Sequence, residues 1–330
     1  MWKSSITGYS VSMNRSKLSK LYIMVPLALL CCFLWGSAFP MVKIGYEMFS
    51  IAESDTASQI LFAGIRFSLA GALVILFGSL IAKKPLYPRN KTEIGHCLLL
   101  SLFQTVLQYT AFYIGLAHTS GVKSSILVAL NVFLSLLLSA VVFKMEKLTA
   151  PKLIGVLIGF AGVVLIHFEA GGFGGFALNG EGAIILSAFA YSVSGVLIKR
   201  FSANEDPVML SGWQFLAGGI VMAALAALAG GRVHMRLEIQ SVLAILYLAL
   251  ISAVAYTVWG LLLKYNPVSR VSVIGFMNPV FGVLLSAAFL GESGEAFSLK
   301  NLVSLVLVCI GIYVVNARFT GKKKPGVDKS

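Results

Sequence analysis

One arginine, Arg66, lies inside an apolar run of membrane-spanning length, about seven residues or ~10 Å from the end of that run. An arginine at such a depth costs ~2.5–3.5 kcal/mol on the insertion scale, so it must face protein or a wet cavity. It either receives an anion or carboxylate, or snorkels outward and binds carbonyls where helices part. The other chemistry-bearing residues in apolar runs are Trp35, Gln108, Tyr109, Tyr113, Asn131, Tyr191, Trp213, Gln214, Tyr256, Trp259 and Asn278. Aromatic rings of this kind grip an organic solute by stacking, or pack a core. The amides line a polar cavity, or hydrogen-bond helix to helix.

What the runs lack is equally informative. No Asp or Glu lies within one; Glu47 and Glu292 come closest, at outer ends, and His96, His118, His167 and His234 sit at run ends or in loops. Proton relays in membranes use buried carboxylates or histidines. Their absence favours a facilitator, an exchanger or coupling through the substrate's own charge. Paired aspartates, a Ser–His pair or HExxH would mark an intramembrane enzyme, and none is found, nor is a Walker lysine. Cys31, Cys32, Cys97 and Cys309 fall in apolar runs without metal-ligand spacing and read as small core residues. No enzyme activity, metal or cofactor is expected.

These residues must be positioned by membrane helices. Of the 330 residues, 58% are hydrophobic and 12% charged, with mean hydropathy +0.89. A soluble domain carries roughly 25% charged residues, so this surface is not built for water. The net charge of +13 would suggest nucleic acid in a soluble protein; on this background it suggests a membrane side. Ten runs of about 20 apolar residues fall near 21–43, 59–82, 95–117, 122–143, 151–168, 182–199, 207–229, 241–263, 269–290 and 298–317. The first is too long for a signal peptide and reads as a retained span. With the N-terminus inside, 20 Lys and Arg fall inside and 5 outside, while eight of the 13 acids fall outside. That asymmetry places both termini in the cytoplasm.

The chain also repeats. A shift of 147 residues lays 99–140 on 246–287 without a gap, pairing Tyr109 with Tyr256, Thr110 with Thr257, Ser125 with Ser272 and Asn131 with Asn278. With slight drift, Arg66-Phe67 falls on Gln214-Phe215. Five spans per unit is an odd number, so the second unit is inverted, which places a substrate site between the halves near mid-membrane. The expected organisation is a tail over 1–20, a first repeat over 21–168, a glycine-rich outside linker over 169–181, a second repeat over 182–317 and a basic tail over 318–330. The linker lacks GK[ST] and reads as a flexible connection rather than a phosphate cradle. Gly155-xxx-Gly159 fits close helix packing within the chain or a homodimer seam.

Several segments resemble the EamA family of the drug/metabolite transporter superfamily: Leu34-Trp35-Gly36-Ser37-Ala38-Phe39, Phe62-Ala63-Gly64-Ile65-Arg66-Phe67, Phe112-Tyr113-Ile114-Gly115-Leu116-Ala117, and Asn278-Pro279-Val280-Phe281 running to Leu290-Gly291-Glu292. The likeness covers about 21–317. One departure stands out: the fourth span reads Asn131-Val132-Phe133 where the family usually has a proline, so the two halves differ in their kinks. The resemblance implies secondary transport of small metabolites, often export, without fixing the substrate.

The expectation is an all-α integral membrane carrier of ten spans in two inverted five-helix repeats, in the cell membrane. Spans 1, 3, 4, 6, 8 and 9 would form the cavity, Pro40 and Pro279 would bend its helices, and Arg66 would approach from the outer side. Its partners would be a small-molecule substrate and the lipid bilayer, with no nucleic acid. A passive pore lined by hydroxyls and amides is the alternative.

Overall fold

The computed structural model describes residues 15–52, 54–118, 121–167, 176–233, 238–290 and 299–317. The N-terminal tail to residue 14, residues 169–175 of the linker, Glu292 and the 318–330 tail lie outside them. After one short turn, Arg15–Leu18, the described residues form ten helical rods and no strand. They are α1 (Leu21–Met48), α2 (Thr56–Ala82) and α3, which joins Lys91–Leu100 through a π-helical stretch, Ser101–Leu107, to Gln108–His118. Next come α4 (Gly121–Leu137, ending in a π turn, Leu138–Val142), α5 (Ala150–His167) and α6 (π turn Leu178–Gly182, then Ala183–Phe201). The rest are α7 (Pro207–Leu228), α8 (Ile239–Tyr265), α9 (Val268–Ser272, a 3₁₀ stretch Val273–Phe276, then Met277–Leu290) and α10 (Leu299–Asn316).

Local chemistry sets several ends. Asp55 caps α2 by accepting from the Ser58 amide at 3.0 Å, and Asn90 caps α3 by accepting from Glu93 at 2.9 Å. Asp206 caps α7, whose first residue is Pro207, where the missing N–H costs nothing. Because α2 begins at Thr56 rather than 59, Arg66 lies about 15 Å from its N-terminal end, deeper than expected.

Six rods, α1, α2, α3, α6, α7 and α8, contain helices long and apolar enough to cross a membrane; shorter apolar segments are Leu127–Val142, Ala150–Leu165 and Leu302–Asn316. Large apolar side chains point outward, among them Leu76, Phe77, Leu80 and Ile81 on α2 and Leu302, Val306 and Ile310 on α10. Ser135, Ser187, Ser192, Gln104 and Gln214 are buried. Such an exterior would aggregate in water and suits hydrocarbon.

Packing follows a twofold pattern. The most extensive contacts join α2 to α7 and α5 to α10; α1 packs on α8 and α9, and α6 packs on α3 and α4. Exchanging each helix with the one five places later maps this set onto itself. Direction follows from the glycine contacts. Gly64 approaches Gly219 and Ala223 while Gly71 approaches Gly212 and Leu216, so α2 and α7 run antiparallel. Gly155 approaches Gly311 and Val315, and Gly162 approaches Ser304 and Val308, so α5 and α10 do too. Antiparallel equivalents are what inversion of one half requires. Gly155 and Gly159 are thus occupied within the chain, by α10 and by Phe276.

The two proline helices behave differently. Pro40 is buried within α1, which continues as helix through it, as it does through Pro26. Pro279 has no N–H to offer the carbonyl four residues back, and the turn before it tightens into the 3₁₀ stretch of α9. The matching part of α4 has no proline and is regular helix. The asymmetry read from Asn131-Val132-Phe133 is therefore real.

Candidate functional site

The glycine seam brings the inversion-related residues of α2 and α7 to the pseudo-twofold axis. Phe67 and Phe215 stack with centroids 5.4 Å apart and planes 8° from parallel. Beside them the hydroxyls of Tyr109 and Tyr256, the pair matched by the 147-residue shift, share a hydrogen bond of 2.5 Å. Repeat mates that touch each other must lie on the axis.

An aromatic cluster surrounds this point. Trp35 on α1 meets Tyr256 and Trp259 of α8, each at 5.0 Å, and Tyr191 of α6 at 6.5 Å. Phe67 lies 4.3 Å from Tyr109, and Phe215 lies 4.9 Å from Tyr256. Tyr46 and Tyr113 complete the wall. Edge-on and tilted contacts of this kind are favourable because the rings' positive edges meet negative faces.

Arg66 is 5% exposed and stands over the Phe67 ring at 4.4 Å, a cation–π contact. Its mate Gln214 is fully buried and accepts the Thr105 hydroxyl at 2.6 Å. Thr105 belongs to the π-helical stretch of α3, a departure from regular helix common at functional sites. There α3 comes so close to α7 that a Cβ on Gly218 would lie 2.6 Å from that of Thr105. Nine buried side-chain polar atoms have no hydrogen-bond partner among the described residues: Trp35 Nε1, Arg66 Nε, Gln104 Oε1, Gln108 Oε1, Gln214 Nε2, Thr257 Oγ1 and Asn278 Oδ1, besides Glu205 Oε2 and Asn316 Oδ1 at helix ends. Unpaired polar atoms in a buried place are costly to leave so, and Trp35 and Arg66 belong to the cluster itself.

Most of the residues singled out from sequence thus converge: Trp35, Arg66, Gln108, Tyr109, Tyr113, Tyr191, Gln214, Tyr256 and Trp259. Trp213 does not. It neighbours Gln214 in sequence but points a helical step away, and its indole N–H donates to the Leu86 carbonyl at 2.9 Å, in the loop after α2. It anchors that loop and stands apart from the cluster. Asn131 meets α6 through its backbone, its carbonyl accepting from Ser192 at 2.9 Å. Beyond the helices expected to form a cavity, α2 and α7 bring Arg66, Phe67 and Phe215 to the cluster, with Gln214 of α7 held by Thr105. Gln104, Thr105, Phe67 and Phe215 were not singled out as cavity residues, although the repeat already paired the two phenylalanines. Cys31, Cys32 and Cys97 are buried as expected, but Cys309 is exposed on α10.

At the end of the bundle that carries the α4–α5 and α6–α7 turns, polar links cross between the halves. Glu146, between α4 and α5, accepts from the Ser269 amide at 3.0 Å and the Ser269 hydroxyl at 2.5 Å at the start of α9, and pairs with Lys152. Burial alone would raise the Glu146 carboxyl, but the Lys152 ammonium, Ser269 and Ser139 outweigh it and hold the group below its ordinary value. His96 on α3 pairs with Glu205 between α6 and α7. At the opposite end the Asp55 carboxyl is lowered by its bonds from Ser58, and Ser58 accepts the Arg232 amide at 2.8 Å. Among the described residues no cluster of His, Cys, Asp and Glu could hold a metal.

Known proteins agree with this architecture. The sequence profile of the EamA-like transporter family matches residues 22–168 and again 178–317. A probable amino-acid metabolite efflux pump of Salmonella typhimurium is 27% identical over 298 residues, covering 87% of this chain and 93% of that protein. An uncharacterized inner membrane transporter of Escherichia coli, YedA, is 27% identical, covering 86% and 90%. An uncharacterized transporter of Archaeoglobus fulgidus is 26% identical, covering 91% and 98%. One crystal structure superposes with a TM-score of 0.69 at 22% identity, over 89% of this chain and 96% of the other, a likeness of fold. Two successive family matches, the paired packing of the halves and the apolar exterior lead to one conclusion: the chain belongs to the EamA-like transporter family of membrane proteins.

Proposed function

We propose that this protein is a ten-span carrier of the cell membrane, both termini cytoplasmic, that exports a small organic metabolite such as an amino acid by alternating access. The observation that carries this reading is the meeting of Phe67 with Phe215 and Tyr109 with Tyr256 on the pseudo-twofold axis. In an inverted-repeat carrier that axis passes through the substrate site, and rocking one half against the other exposes it to each side in turn. An aromatic wall with a few polar groups is the usual lining for a small organic ligand. The ten-span count is supported by direction: α1 runs parallel to α9, with Cys32 at Ile274 and Gly36 at Phe281, and antiparallel to α8, with Cys31 at Ala255 and Ser37 at Tyr247. Those are the relations expected if every rod crosses once. The 20-to-5 basic asymmetry supports the orientation, and the Salmonella relative's name supports export of amino-acid metabolites.

The described acids sit at helix ends or in loops, which supports transport without a buried carboxylate relay. Flux through proteoliposomes tests this, with amino acids, sugars and organic acids and with or without a pH gradient. The expected result is saturable flux that does not need the pH gradient and is lost in Tyr256→Ala. Strict dependence on an inward proton gradient would sink the relay-free mechanism. A non-saturating ion current would show a channel, and product formation without translocation an enzyme.

A further inference from the structure

Resting on the carrier reading above, we propose that Arg66 receives the carboxylate of an organic substrate of net charge −1, and that the membrane potential acting on this charge drives export. The guanidinium is buried in the middle of the protein, yet its described neighbour is the face of Phe67 rather than an acid. The ion pairs among the described residues, His96–Glu205 and Lys152–Glu146, lie at the end of the bundle that carries the α4–α5 and α6–α7 turns. The ring offsets only part of the cost of desolvating the cation, so the site is complementary to an anion. Further donors stand ready. The Thr105 hydroxyl holds the Gln214 oxygen, and Nε2 of that amide is left without a partner, as is Trp35 Nε1. One cation and neutral donors suit a carboxylate; a phosphate ester would call for more than one cation.

The aromatic rings on the axis suit an apolar body attached to that carboxylate. The unpartnered oxygen of Gln108, next to Tyr109 on α3, suits a hydroxyl or amide hydrogen on the same molecule. A zwitterion would satisfy the donors but leave one net positive charge in the low-dielectric centre. A monoanion brings that centre to neutrality, so the loaded carrier is the form best suited to rearrange. Moving one negative charge out of a cell whose interior is negative supports an about fifty-fold concentration ratio for each ~100 mV. No proton relay is then needed.

The test uses the full-length protein in liposomes loaded with labelled 2-oxo or 2-hydroxy monocarboxylates, or with the matching amino acids, with valinomycin and potassium setting the potential. The expected result is saturable monocarboxylate efflux whose steady-state ratio shifts about fifty-fold per ~100 mV. Arg66→Gln, which copies its repeat mate, is expected to lose at least a hundredfold in kcat/KM for the monocarboxylate. Arg66→Lys is expected to recover part of it with a raised KM, because ammonium lacks the planar fork. Saturable amino-acid flux indifferent to the potential would overturn the proposal and leave the carrier standing. An unaltered KM in a folded Arg66→Lys would also overturn it, even if Arg66→Gln failed to fold. Absence of saturable flux for every solute would instead defeat the carrier reading.

Discussion

Replacing Gly71 by alanine tests whether the α2–α7 seam positions the central site. A Cβ at Gly71 would lie 2.3 Å from the Leu216 amide nitrogen, 2.7 Å from the Gly212 carbonyl and 2.8 Å from the Leu216 Cα. All three are backbone atoms that cannot swing aside. Ordinary contact begins at 3.4 Å, so the helices must separate by roughly 1 Å, which forfeits up to half of the dispersion energy along the seam. Overpacking costs about 1–3 kcal/mol, against an intrinsic helix gain for alanine of ~1 kcal/mol, leaving about 0–2 kcal/mol of destabilisation. The same separation would part the stacked rings of Phe67 on α2 and Phe215 on α7, whose centroids now lie 5.4 Å apart. If as much as about 1.4 kcal/mol of that strain is felt at the central site, transport is expected to fall about tenfold. Gly95→Ala is the control, because nothing lies within 4 Å of its Cβ; it should be neutral or stabilising by up to ~1 kcal/mol. Thermal melts in detergent and proteoliposome flux would measure both. A Gly71→Ala protein that melts and transports like the wild type would refute the seam as the positioning element.

Tyr109→Phe and Tyr256→Phe each remove the same hydroxyl pair, so substrate affinities across a double-mutant cycle should be non-additive by about 0.5–1.5 kcal/mol; strict additivity would show that the bond is absent in the loaded state. Glu146→Gln should lower stability by about 1–3 kcal/mol at neutral pH by weakening the bonds to Ser269 and Lys152. Because the folded carboxyl is held below its ordinary value, this contribution is full above the ordinary glutamate range and fades as pH falls through the lowered value, so the two melting curves should converge in acid. Trp213→Phe should cost about 0.5–1.5 kcal/mol of stability through the lost Leu86 bond while leaving KM unchanged; a raised KM would return Trp213 to the site.

Much of the site was legible along the chain because burial in a bilayer is so selective. An arginine, a few amides and amphipathic rings inside apolar runs are rare enough to be noticed one by one. The repeat then paired Tyr109 with Tyr256 and Phe67 with Phe215, and both pairs meet on the axis. The direction in which a helical side chain points was not legible. Trp213 and Gln214 are adjacent, yet about 100° of helix rotation sends one to Leu86 and the other to Thr105. The π-helical stretch of α3 gave no signal either, and it is the part of α3 that lies against Gly218 of α7.

Hydropathy and charge determine that this protein is helical and membrane-borne, because the bilayer penalises every buried charge and unpaired backbone group locally, residue by residue, and the 147-residue repeat of side chains shows that it is doubled. Which residues become neighbours is a different matter. Gly64, Gly71, Gly212 and Gly219 acquire meaning only when two distant helices run antiparallel at backbone contact, and Arg66 is left with an aromatic face in place of an acid only by that same packing. Those outcomes depend on contacts between segments some 150 residues apart, so only the tertiary structure could decide them.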